Sequence, residues 1–225
     1  MRGNFLQNGI IAVRKPVGFS TFDIIRFLKR ETDIKTKIGH GGTLDPFASG
    51  VVLLLFGKAT NRFEEIKKWE KEYIASLKLG YTSDTFDVEG KIEEKKCYKK
   101  PKVDDFKKAA GQFLGEIIQE VPSFSAAKYQ GKSLYKLARE GKKVAKTKTI
   151  TVKGIELIAY KWPLVTFRFV VLGGAYIRTL AADIVKSLNC SGFLFYLERV
   201  RVGDCLLNNA LSLKELVIKI NEARQ

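Results

Sequence analysis

Six apolar residues, VVLLLF, follow one another at residues 51–56 and form the longest uninterrupted apolar run of this sequence. A membrane helix needs roughly 20 such residues, so we expect no membrane span. A short aliphatic run is instead typical of a strand that is covered on both faces. The chain is therefore expected to fold around a core strand at residues 51–56.

Two further segments carry an apolar residue at every second position, the pattern of a strand with one buried face. These positions are Tyr73, Ala75, Leu77 and Leu79 in the first segment, and Val165, Phe167, Phe169 and Val171 in the second. The sequence thus predicts a substantial sheet.

Four segments have the spacing of amphipathic helices. They begin at Ser20 or Thr21, at Asp104 or Asp105, at about Tyr176, and at Ser212, where Glu215 completes a capping box. The second helix is expected to bury Phe106, Ala109, Ala110, Phe113, Leu114 and Ile117. Because helices and strands do not alternate regularly, the predicted class is α+β with a largely antiparallel central sheet flanked by helices.

No linker or repeat divides the chain, so residues 1–225 are expected to form a single domain.

The charge is strongly positive and uneven. The chain carries a net charge of +16, and residues 91–153 hold 17 Lys and Arg against 7 acidic residues, a net charge of +10. Such a segment favours a polyanionic partner, with nucleic acid as the leading candidate. The alternative is a solvated lysine-rich surface that only keeps the protein in solution.

Three cysteines, at positions 97, 190 and 205, have neither the spacing of a disulfide framework nor that of a zinc site. Reduced thiols are therefore expected, which fits a cytoplasmic protein. His40 is the only histidine, so a metal site built from several histidines is excluded.

The segment IGHGGTLDPFASGVVLLLFG, residues 38–57, is the most unusual stretch of the sequence. Pro46 disfavours a helical conformation at Asp45, and Gly41 and Gly42 permit tight turns or a close approach of a ligand. Asp45 is thus a candidate catalytic acid, although Asp-Pro is first of all a turn signal. His40 in this loop either faces a ligand or serves as a structural hydrogen-bonding group. The glycines match neither a phosphate loop nor a dinucleotide-binding motif.

Several motifs in this chain agree in order and spacing with one family. They are RKPVGFST (14–21), GHGGTLDPFASG (39–50), KEYIASLKLGYTSDTFDVEG (71–90), VPSFSAAKYQGKSLYKLAREG (121–141) and GAYIRTLAADI (174–184). From about residue 9 to residue 202, the chain resembles the TruB family of tRNA pseudouridine synthases. The resemblance implies the pseudouridine synthase fold and an isomerase that needs no cofactor and no metal. Its substrate would be uridine 55 in the T-loop of tRNA, flipped out of its stack.

The resemblance also implies catalytic roles. Asp45 matches the essential carboxylate, which acts as nucleophile or base. Arg178 matches the arginine that pairs with this carboxylate and keeps it ionised, although it could also be an exposed helix residue. Tyr73 matches a tyrosine that stacks on the target base and can handle a ring proton, whereas its alternation with Ala75 and Leu77 also fits core packing.

Other matching positions would bind the substrate. His40 matches a histidine that inserts where the base leaves, and Lys15 and Leu197, the latter with Arg199, resemble positions that support the pocket. Asp87 and Tyr176 match an acid and an aromatic residue near the site, or else they cap a turn and fill the core. Lys128 and Lys132 would hold the backbone of the T-arm.

Many relatives continue into a C-terminal RNA-binding PUA domain, whereas this sequence stops soon after the helix that begins at Ser212, so we expect that domain to be absent. A monomer without an obligate protein partner is expected. An alternative function is that of a tRNA-binding RNA chaperone in which catalysis is secondary or lost.

Overall fold

The computed structural model describes residues 5–142 and 144–224, which fall into two compact units. Of these residues, unit 1 contains 5–73 and 197–224, and unit 2 contains 74–142 and 144–196. The unit boundaries fall inside two strands, so the expectation of a single domain stays a prediction.

Strands alternate irregularly with helices along the chain. The strands are β1 (Ile10–Lys15), β2 (Ile38–His40), β3 (Ser49–Phe56), β4 (Lys71–Leu79), β5 (Tyr81–Ser83), β6 (Ile92–Glu94), β7 (Gly115–Glu120), β8 (Lys128–Tyr129), β9 (Lys132–Ser133), β10 (Thr147–Lys161), β11 (Leu164–Val171), β12 (Gly192–Val202) and β13 (Cys205–Leu206). The α-helices are α1 (Phe5–Asn8), α2 (Thr21–Thr32), α3 (Phe63–Lys67), α4 (Val103–Gly111), α5 (Leu134–Arg139), α6 (Ile177–Ser187) and α7 (Leu213–Arg224). Two 3₁₀ helices span Gly57–Arg62 and Leu207–Asn209.

Unit 1 is built around β3. This strand pairs antiparallel with β1 and β2, and it pairs parallel with the end of β12 through Ser49 opposite Glu198 and Gly50 opposite Arg199. Every residue of β3 after Ser49 is buried. The prediction of a strand covered on both faces is confirmed. Its side chains form a core together with Ala59, Ile66, Val202 and Ala210.

Unit 2 is built around long antiparallel strands. β10 pairs antiparallel with β11 on one side and with β7 on the other, and β4 neighbours β11. The alternating residues of β4 and β11 point into the core as predicted, and Phe106 of α4 packs on Phe167 with ring centroids 6.0 Å apart. The pairing in both units is almost entirely antiparallel, so the predicted α+β class is confirmed.

Helix starts follow the predicted capping residues in three of four cases. Ser20 caps α2 in a capping box with Asp23, Tyr176 is the N-cap of α6, and Ser212 and Glu215 exchange hydrogen bonds at the start of α7. The fourth prediction was wrong at both ends, because α4 begins at Val103 after Lys102 and ends at Gly111.

The error at the end of α4 has a long-range cause. Helical spacing continues through Leu114 and Ile117, but Gly115 adopts a φ of +87° and starts β7, where Ile117 pairs with Ile150. Strand pairing with a distant segment thus overrides local periodicity, and Leu114 is left exposed.

The cysteine prediction was also wrong. Cys97 and Cys190 form a disulfide within unit 2, whereas Cys205 of unit 1 is free. The segments next to these two cysteines are hydrogen-bonded to each other, since the Tyr98 N–H donates to the Asn189 carbonyl at 3.1 Å. Sequence spacing carries no information about such an approach.

Among the described residues, no helix is both long and apolar enough to cross a membrane.

Candidate active site

Asp45 lies in a turn between β2 and β3 of unit 1. The Ala48 N–H donates to the Asp45 carbonyl at 3.1 Å, which closes the turn around Pro46. Leu44, Phe47 and Ala48 are buried, whereas Asp45 itself is half-buried. Apolar side chains on both sides therefore fix the backbone of this acid without placing it in the core.

A buried lysine ties the first motif to this turn. Lys15 has no exposed surface, and its ammonium donates hydrogen bonds to the carbonyls of Phe19 at 2.6 Å, Pro16 at 2.9 Å and Pro46 at 3.2 Å. The Gly18 N–H donates to the same Pro46 carbonyl at 2.8 Å. The backbone next to Asp45 is thus held by a charge-assisted hydrogen bond, which is stronger than a neutral one.

A buried arginine holds the other side of the loop. The Arg199 guanidinium, on β12, donates to the carbonyls of Val51 at 2.6 Å and of Gly42 and Thr43 at 3.2 Å each. At Gly50, φ is +116° and a Cβ would come within 2.2 Å of the Arg199 carbonyl, so only glycine fits this approach. Leu197 is buried on the same strand.

Two titratable side chains lie near this arginine. Burial, and after it the positive charge of Arg199, lowers the pKa of Lys71 to about 8. The same two causes, burial first, lower the pKa of His40. The His40 Nδ1 atom is enclosed and has no hydrogen-bond partner among the residues that the structure describes. His40 is therefore a neutral imidazole at pH 7.

No local pattern in the sequence marks Lys71 as a candidate site residue. Its ammonium donates to the carbonyls of Trp69 at 2.8 Å and Lys67 at 3.1 Å, and its side chain passes beside Gly42. Alternation along β4 marks Tyr73 but does not distinguish Lys71 from an ordinary strand-edge lysine.

Tyr73 is 6% exposed and shares the buried face of β4 with Ala75 and Leu77. This burial fits the core-packing alternative, and the stacking role stays a prediction.

In unit 2, Arg178 at the start of α6 is held by two loops. Its guanidinium lies 3.0 Å from the Asp87 carboxylate and donates to the carbonyls of Thr85 at 2.9 Å and Phe124 at 3.0 Å. Both side chains of the ion pair are buried, and Asp87 also accepts hydrogen bonds from the Thr85 hydroxyl and the Glu89 N–H. Arg178 is not an exposed helix residue. Its pairing with Asp45 stays a prediction.

The remaining candidates also lie in unit 2. Tyr176 is half-buried at the N-terminus of α6. Lys128 and Lys132 are exposed on the β8–β9 hairpin, whose turn has positive φ angles at Gln130 and Gly131. This hairpin belongs to the basic segment, residues 91–153. Among the residues described, no group of His, Cys, Asp or Glu side chains is arranged to hold a metal ion.

The structure thus gathers the sequence candidates into two groups. Unit 1 contains Lys15, His40, Asp45, Tyr73 and Leu197, and unit 2 contains Asp87, Lys128, Lys132, Tyr176 and Arg178.

Comparisons with known proteins identify the family of this chain. Residues 29–177 match the model of the TruB family pseudouridylate synthase N-terminal domain. The chain is 38% identical to a tRNA pseudouridine synthase B of Parabacteroides distasonis over 98% of this chain and 100% of the relative. It is 41% identical to one of Clostridium novyi, over 93% of this chain and 72% of the relative.

A solved structure has the same fold. A chain in the crystal structure of a Cbf5–Nop10–Gar1 complex superposes with a TM-score of 0.72 and 27% identity, over 95% of this chain. This chain spans 54% of that solved chain. The family match covers most of the motifs on which the resemblance was based, and the chain belongs to the TruB family of pseudouridylate synthases.

Proposed function

We propose that this chain converts uridine 55 in the T-loop of tRNA to pseudouridine. The C–N glycosidic bond breaks, the uracil turns, and a C–C bond forms to C5, which gives up its proton while the released ring nitrogen gains one. No redox change and no cofactor are required by this balance. The observation that carries the proposal is the Asp45 turn, which two buried cations hold through backbone carbonyls in a chain of this family.

Asp45 is proposed to act in its ionised form, as nucleophile or base. Lys15 and Arg199 support this role because they fix the loop backbone with hydrogen bonds to carbonyls. Arg178 is proposed to keep the Asp45 carboxylate ionised, with Asp87 holding the guanidinium in position. Preorganisation of this kind avoids a reorganisation cost during the reaction.

The decisive experiment incubates an unmodified tRNA transcript with the pure protein and maps pseudouridine by carbodiimide-dependent stops of reverse transcription. We expect a stop at uridine 55 with the wild type, and none with Asp45→Asn. Asp33→Asn is the matched control, because Asp33 is an exposed carboxylate in the same unit. We expect it to retain the stop.

Two results would contradict the proposal. A stop that survives in Asp45→Asn would remove the catalytic role of this acid. Tight tRNA binding by the wild type without any stop would favour the RNA chaperone over the enzyme.

Base flipping costs a few kcal/mol, which contacts to the RNA must offset. The basic segment supports this part of the proposal, with Lys128 and Lys132 exposed on a hairpin that can reach phosphates. Charge reversal at both lysines is expected to raise KM much more than it lowers kcat. Lys214→Glu, an exposed change in unit 1, is the control. An unchanged KM would contradict the role of the hairpin.

Tyr73 is proposed to contact the target base and, through its hydroxyl, to handle a ring proton. Tyr73→Phe separates these functions, since it keeps the aromatic face and loses the hydroxyl. A strong fall in kcat at unchanged KM supports proton handling, whereas an unchanged kcat contradicts it.

We place the reaction in the cytoplasm, where tRNA is modified, and propose that a monomer performs it.

A further inference from the structure

Tyr176 in unit 2 is held at its backbone by a buried side chain. Gln119 of β7 is 1% exposed. Its Oε1 accepts a hydrogen bond from the Tyr176 N–H at 2.8 Å, and its Nε2 donates to the Tyr176 carbonyl at 3.0 Å. One amide thus satisfies both polar groups of a single residue, immediately before α6 begins. This fixes the direction in which the Tyr176 side chain leaves the backbone.

The ring of Tyr176 is held separately. The Lys148 ammonium, on β10, lies 4.0 Å from the ring centroid. This distance is well within the range of a cation–π interaction. A Cβ at Gly174 would lie 3.5 Å from the same ammonium, so the glycine leaves room for it. Lys148 therefore covers one face of the ring.

Gln119 and Lys148 are direct partners in the antiparallel pairing of β7 with β10. Side chains of direct partners project from the same face of a sheet. Two neighbouring side chains thus hold the same residue, one at its backbone and one at its ring. The half-buried Tyr176 also packs against the cluster of Val121, Leu134 and Leu137, and the two polar restraints act in addition to that packing.

We propose that Gln119 and Lys148 form a clamp that orients the Tyr176 ring for its contact with the target uracil. This inference rests on the proposed function, in which Tyr176 contacts the substrate. Gln119 and Lys148 are positioning residues, because they act through Tyr176.

The first test needs no RNA. With 3-fluorotyrosine introduced at position 176, the 19F resonance reports on the charge and packing around this ring. We expect Lys148→Met and Gln119→Glu to shift or broaden the resonance. Glutamate at position 119 keeps the acceptor for the Tyr176 N–H and loses the donor to its carbonyl. Lys148→Arg should restore the resonance, since a guanidinium also stacks on aromatic rings.

The second test is kinetic. Lys148→Met is expected to lower kcat about tenfold, a loss in the range of one cation–π contact, with little change in KM. Lys148→Arg should recover most of it. Lys161→Met is the matched control, because Lys161 is an exposed lysine at the end of the same strand.

Two outcomes overturn the clamp. One is a 19F resonance of Lys148→Met that coincides with that of the wild type. The other is a defect confined to KM that weakens with added salt, which indicates a phosphate contact instead. If the wild type forms no pseudouridine, the proposed function fails while the 19F comparison still tests the clamp. If the wild type is active and both variants match it in resonance and kcat, only the clamp fails.

Discussion

Two arginines, one in each unit, are almost fully buried and have different partners. Arg199 in unit 1 is 2% exposed and donates to three backbone carbonyls, with no carboxylate partner among the described residues. Arg178 in unit 2 is 4% exposed and faces the Asp87 carboxylate in addition to two carbonyls.

The difference in partners changes what each charge does. A guanidinium that is bound only by carbonyls keeps its positive charge, and after burial this charge is the second cause that lowers the pKa values of Lys71 and His40. A guanidinium paired with a carboxylate has part of its charge offset, and it also joins the two loops that contain its partners. Arg199 thus affects the electrostatic potential and the backbone conformation of the Asp45 loop. The Arg178–Asp87 ion pair instead fixes the position of the Arg178 guanidinium.

The largest expected effect is that of Arg199→Met. Three buried carbonyls lose their donor, so the free energy of unfolding should fall by about 4 kcal/mol. Urea denaturation measures this change. A loss below about 1 kcal/mol would mean that water replaces the guanidinium and that the loop does not depend on it.

Asp87→Asn should come next, with a loss of about 3 kcal/mol, because it leaves the buried charge of Arg178 without its carboxylate. Asparagine keeps the Oδ1 acceptor for the Thr85 hydroxyl and the Glu89 N–H, so the loss is confined to the charge and the acceptor that face Arg178. Asp84→Asn, at an exposed neighbouring acid, is the control for denaturation. Equal stability of the two variants would show that the ion pair contributes nothing net.

The third prediction uses the titration of Lys71. The unfolded chain keeps this proton up to the ordinary value of 10.5, whereas the folded chain releases it at about 8. Between these values the unfolded state binds more protons, so the free energy of unfolding rises with pH. From about pH 7.5 to 9.5, the wild type should gain about 1–2 kcal/mol relative to Lys71→Met. Parallel pH profiles of the two proteins would contradict this titration.

The smallest effect concerns His40, the only histidine, whose Cε1 proton gives a single NMR resonance. Its pKa is expected to lie below 6.5, first because of burial and then because of Arg199. Stability is therefore unaffected above this value and falls by less than about 1 kcal/mol as the pH drops to about 6. In Arg199→Met the midpoint should move upwards. A midpoint that stays in place would mean that the arginine does not influence this site.

The local parts of the fold followed from local patterns. Ser20 and Ser212 predicted helix starts because a capping side chain bonds within its own turn. The apolar run at residues 51–56 predicted a doubly covered strand because burial on both faces requires apolar residues throughout. The end of α4 was missed because Ile117 pairs with Ile150, which no local pattern reveals.

The candidate site likewise contains residues that a local pattern indicates and residues that only tertiary contacts reveal. Asp45 could be identified from its Gly-rich, Pro-containing loop and from the family motifs, and the alternation along β4 placed Tyr73 on a strand. Lys71 and Gln119 were missed because nothing nearby in the sequence distinguishes them. Their significance comes from contacts with Gly42 and Tyr176.

The sequence by itself determined the family, the α+β class, the positive charge and the candidate catalytic acid, because composition, periodicity and motif spacing are properties of the chain alone. Only the tertiary structure decided which acceptors the buried cations found. Carbonyls surround Arg199 and a carboxylate faces Arg178 because long-range packing chooses the neighbours of each side chain, and a charge removed from water must take the partners that it meets there.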